Sequence, residues 1–150
     1  MLKDDCLYIV KEAIARVLPD EAVKRALGGR EFPDGRLILV SVGKAAWSMA
    51  SAAHSVLGTR IDRGIVITKH GYSKGAIGDL SVREAGHPVP DADTFSATRE
   101  ALELTRGLAP GDTVLFLLSG GGSALFEAPV IPEDELRDIT EQLLACGADI

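Results

Sequence analysis

Apolar positions along this chain follow two alternating rhythms. In the first, Cys6, Leu7, Val10, Ala13, Ile14, Val17 and Leu18 recur at helical spacing behind Asp4 or Asp5 as N-cap, and Pro19 ends the run. A short second helix, Glu21 to Leu27, stops at Gly28 and Gly29, where a left-handed C-terminal cap is expected. The second rhythm begins at Leu37 to Val42, a nearly continuous apolar run that predicts a strand buried on both faces. Gly43 and Lys44 follow, then a helix to about Leu57 with Ala45, Ala46, Met49, Ala50, Ala53 and Leu57 on its packing stripe. Arg63 to Thr68 predicts the next strand. The stretch KHGYSKGAIGDL is too rich in glycine for a helix and reads as a loop, with Lys69, His70 and Tyr72 as solvated surface.

Leu80 to Ala85 is a shorter, more polar strand suited to a sheet edge. GHPVPD then leads into a helix over about Ala92 to Leu108. Thr113 to Leu118 predicts a central strand, which empties into Ser119-Gly120-Gly121-Gly122-Ser123, a short helix and a break at Pro129. A last helix starts at Pro132, with Glu133, Asp134 and Glu135 matching the positive end of its dipole, and runs to about Cys146. This alternation predicts an α/β fold, a parallel sheet covered by helices on both faces, preceded by a helical appendage.

Composition narrows the function classes. The 150 residues are 46% hydrophobic and 25% charged, an ordinary balance for one globular domain. A net charge of -6 argues against nucleic acid as the main partner, which asks for a basic face. The N-terminus carries Asp4, Asp5, Lys11 and Glu12 among its apolar positions, so it predicts neither a signal peptide nor a membrane span. Cys6 and Cys146 have no metal or redox spacing; the expectation is a reducing cytoplasm and a packing role for both.

The chemistry concentrates at strand ends. Three consecutive glycines at the mouth of a strand cost stability, about 0.8–1 kcal/mol each relative to Ala where they enter a helix. Close backbone approach to phosphate or carboxylate oxygens would offset that cost, with Ser119 and Ser123 adding hydroxyls, so Ser119, Gly120, Gly121, Gly122 and Ser123 are candidate ligand residues. The loop is neither a Walker A motif nor a dinucleotide fingerprint, since Leu125 stands where the latter needs glycine, and G-x-S-x-G fails around both serines. Lys44 follows the other fully apolar strand. A lysine in a helix's first turn is disfavoured by the dipole, so it is a candidate to face an anion beside the glycine loop. His87, in a stretch stiffened by Pro88 and Pro90, could contact ligand or bond to nearby backbone, and Asp91 or Asp93 should N-cap the next helix. His54 is expected to be exposed on its helix, and three scattered histidines make no metal site.

Taken in order, SVGKAAWSMA, ITKHGY, REAGHPVPD and LLSGGGSALFEAP resemble the N-terminal part of the glycerate 2-kinase family, the MOFRL-type enzymes sometimes labelled hydroxypyruvate reductases. The resemblance implies a Rossmann-like three-layer αβα sandwich and ATP- and Mg2+-dependent phosphorylation of D-glycerate in a cleft against a smaller C-terminal domain. It also implies that Lys44 is the active-site lysine and that Ser119 to Ser123 is the ligand loop. Family members are much longer, so residues 1–150 are expected to be a truncated N-terminal domain, inactive alone, lacking the C-terminal domain. No matched motif supplies a general base or a magnesium carboxylate. The rival readings are a non-catalytic phosphate- or nucleotide-binding module and a hydroxypyruvate reductase. Homo-oligomerisation stays open.

Overall fold

A computed structural model describes residues 2–120 and 122–147. Two helices open the chain, α1 (Leu2–Arg16) and α2 (Pro19–Leu27). Then follow β1 (Leu37–Gly43), α3 (Ala46–Leu57), β2 (Arg63–Lys69), β3 (Ser81–Ala85), α4 (Ala92–Leu104), β4 (Thr113–Ser119) and α5 (Glu133–Ala145). Single 3₁₀ turns sit at Gly58–Arg60 and Ser123–Leu125.

The four strands are parallel and lie in the order β3-β2-β1-β4. All seven residues of β1 are buried, as its unbroken apolar run predicts, because β1 is flanked by strands on both sides and covered on both faces. One face packs Leu39 and Val66 against Ala46, Ala50 and Ala53 of α3 and against Val23 and Leu27 of α2. The other packs Ile38, Val40, Ile65 and Ile67 against Ala97 and Ala101 of α4. The small residues of α3 and α4 let helix backbone approach the sheet closely, and the larger strand side chains fill the space.

Three expectations need correction. Thr113 to Leu118 is not central: β4 is the edge strand opposite β3, and Phe116 and Leu118 are 45% and 52% exposed. Its apolar character is that of a strand buried on both faces, yet the face bearing these two residues is half open, with Phe126 stacked edge-on against Phe116 at 5.8 Å. Cys6 and Cys146 do not pack; both thiols are free and exposed, on helices that bury no residue. The fourth helix stops at Leu104 rather than Leu108, since Thr105 already leaves helical geometry and the chain turns at Gly107.

Candidate functional site

Parallel strands deliver their C-terminal ends to one side of the sheet, where α/β proteins bind ligands. In spatial order, β3 leads to His87, β2 ends at Lys69, β1 leads to Lys44 and β4 ends at Ser119. Gly43 and Ser119 are register partners, so Lys44 and the glycine loop leave the sheet side by side.

Their junction is closely fitted. Gly43 has φ +119°, and a Cβ there would strike both the carbonyl and the hydroxyl of Ser119. Glycine is therefore required twice over, for conformation and for room. The Ala45 N–H donates to Ser119 Oγ at 2.9 Å, tying the loop after β1 to the end of β4. Ser119 thus has a structural duty through its oxygen. Lys44 sits in this tied turn, exposed, one residue before the N-cap Ala45 rather than within the first turn of the helix. Ala45, the N-cap of α3, provides no side-chain cap, so the positive end of that helix opens beside the Lys44 ammonium.

Two glycines of the loop have different reasons. Gly120 takes φ +63° with open space where a Cβ would point, whereas Gly122 is buried, and a Cβ there would lie 2.7 Å from Leu118 Cδ1. Gly120 is glycine for its backbone and Gly122 for packing. Gly121 and the side chain of Ser123 lie outside the described residues.

His87 is half-buried at the far end of the row. Burial and then the charges of Lys44 and Lys69 hold its pKa below the usual histidine value. Asp91 caps α4 as expected: its Oδ1 accepts from the Thr94 N–H at 2.9 Å and from the Gly86 N–H at 3.1 Å, and Thr94 completes a capping box. Its Oδ2 lies 2.7 Å from His70 Nε2, and that hydrogen bond raises the His70 pKa. This pair spans 21 residues and had no signal in the sequence, nor did the alignment of Lys69 with Lys44, which depends on strand register. His54, half-buried near the C-terminal end of α3, touches Gly78 and stands apart from the row.

A groove of ≈ 480 Å³ runs between α2 and β4, lined by Ala22, Ala26, Met49, Leu115 and Leu117, and reaches the row at Ser119. Its lining is mostly apolar. Anion donors belong to the strand ends. No helix among the described residues is long and apolar enough to cross a membrane.

The family described as "Domain of unknown function (DUF4147)" matches residues 5–150. The D-glycerate 2-kinase of Thermotoga maritima is 52% identical over 99% of this chain and 36% of that protein. The glycerate 2-kinase of Pyrococcus horikoshii is 38% identical over 96% of this chain and 35% of its own length. A crystal structure of glycerate kinase from Thermotoga maritima superposes with a TM-score of 0.89 at 51% identity, covering 99% of this chain and 36% of that one. The chain thus spans about a third of the length of the curated relatives it matches.

Proposed function

This chain belongs to the DUF4147 family, and on that premise we propose that it is the N-terminal domain of an enzyme that phosphorylates D-glycerate with ATP. The observation that carries the reading is the fitted junction of β1 and β4. There Lys44 and the uncapped start of α3 stand beside the glycine loop, in a chain that aligns over 99% of its length with 36% of a glycerate kinase. ATP supplies the phosphoryl group. Lys44 and the backbone of Ser119 to Ser123 hold and neutralise transferring or carboxylate oxygens, and His87 borders the substrate. Positive charge preorganised at that place stabilises charge that develops during transfer.

Magnesium does not fit the row of strand ends, and in the cluster of possible ligands beside it, His70, Asp91 and Asp93, the first two are already bonded to each other. The row offers ammonium groups, an imidazole and a hydroxyl. The Asp91 carboxylate is engaged in the cap, and burial pushes the Glu127 carboxyl up, towards its uncharged form. A hard divalent cation asks for ionised oxygen ligands. A nicotinamide reaction is disfavoured by Leu125, fully buried where the dinucleotide fingerprint requires glycine. The exposed free thiols and the use of ATP support a reducing, cytoplasmic setting for the reaction.

The test is a chimera in which this chain replaces the aligned part of the Thermotoga maritima enzyme. We expect ATP-dependent phosphorylation of D-glycerate by the chimera and none by the 150-residue chain alone. Lys44→Ala in the chimera should lower kcat by about 10²–10³, the scale of losing one preorganised donor. An unchanged kcat would remove Lys44 from the mechanism.

A further inference from the structure

Lys69 closes β2, and its position follows from register. Val42 pairs with Ile67 in the last rung between β1 and β2, so Lys44 and Lys69, each two residues further on, follow the ends of adjacent strands. The Thr68 hydroxyl, 3.5 Å from the Lys44 carbonyl, bridges the two ends. On its other side Lys69 pairs with Ala85, two residues before His87.

The side chain is held. Lys69 Nζ lies 5.6 Å from the centroid of the Tyr72 ring, and the Tyr72 N–H donates to the Lys69 carbonyl at 3.0 Å. The next residue is fixed as well, because the Ser73 N–H donates to Glu84 at 2.8 Å. Among the described residues neither Lys44 nor Lys69 forms an ion pair, although acidic residues outnumber basic ones 22 to 16 in this chain. Neighbouring ammonium groups without acidic partners repel each other, and an anion bound between them reverses the sign of that interaction.

We propose that Lys69 is a second anion-holding residue of this site, binding the carboxylate of the short hydroxy acid while Lys44 and the glycine loop serve the phosphoryl end. The proposal rests on the kinase reading above and adds a division of labour to it. A hydroxy acid being phosphorylated brings two anionic centres close together, and the two neighbouring strand ends each offer a cation. The influence of both lysines on His87 agrees with this convergence.

The test uses the 150-residue chain, with D-glycerate and inorganic pyrophosphate as separate probes, followed by the fluorescence of Trp47. Trp47 is the chain's only tryptophan and lies in the first turn of α3. Lys69→Met should weaken D-glycerate binding about tenfold, the loss of one charge-assisted contact, and leave pyrophosphate within about twofold. Lys44→Met should show the reverse preference. Tyr72→Leu keeps the charge but frees the stem, and should weaken D-glycerate by a smaller factor. An equal D-glycerate affinity in Lys69→Met and the parent chain overturns the role of Lys69 while leaving the glycine-loop site standing. If the parent chain binds neither probe, the site itself is overturned and Lys69 with it.

Discussion

His70 and His87 stand at the ends of neighbouring strands and should titrate in opposite directions. His70 is held up by its bond to Asp91, whereas His87 is pushed down by burial and by two lysines. NMR titration should place the first midpoint above 6.5 and the second below it. The consequences for stability oppose each other. The His70 contribution is fully present below pH 6.5 and lost as pH rises through its folded value. His87 favours the folded state fully above 6.5 and less as pH falls towards its lowered value. Asp91→Ala should return the His70 midpoint towards 6.5 and cost about 1–2 kcal/mol in urea denaturation through the lost cap. The cap was legible because Thr94 follows Asp91 at the spacing that helix geometry dictates. The His70 partnership was not, because residues far apart in sequence meet only once a strand end and a helix start are placed.

At the scale of elements, the junction of β1 and β4 has the least tolerance. Gly43→Ala puts a methyl into Ser119 and forces a conformation that alanine resists, so it should cost about 2 kcal/mol or more and, by breaking the Ala45–Ser119 bond, loosen the glycine loop. Urea denaturation measures the first effect; amide hydrogen exchange at Ala45 measures the second. β1 and β2 could be read from their apolar runs because such runs tolerate no exposed face. The same rule misplaced β4, whose run signals burial that this chain does not complete. Pattern states what a strand requires, and neighbours decide whether it is met. The edge remains a template for pairing with another strand. Phe116→Lys should therefore reduce concentration-dependent light scattering without altering the sheet.

Across the whole molecule, the two ends of the sheet are treated differently. At the end away from the candidate site, Asp112, just before β4, accepts from Arg36 Nε at 3.0 Å and from the Arg36 and Ala109 N–H groups, each at 2.8 Å. The Arg36 guanidinium and these bonds lower the Asp112 pKa from 3.8 to about 2. Its stabilising effect is present above 3.8 and lost as pH falls through about 2, so Asp112→Asn should flatten that part of the acid unfolding curve. At the other end Lys44 and Lys69 form no ion pair among the described residues. Chain order there is Lys44, Lys69, His87, Ser119, yet the order in space is His87, Lys69, Lys44, Ser119. The last of the described strands is thus added at the edge beside the first, and no short stretch of sequence contains the row. Affinity for a small anion therefore doubles as a gauge of folding. A ligand at a hundred times its Kd would add about 2.7 kcal/mol to the fully assembled sheet and nothing to any state in which β4 has yet to dock.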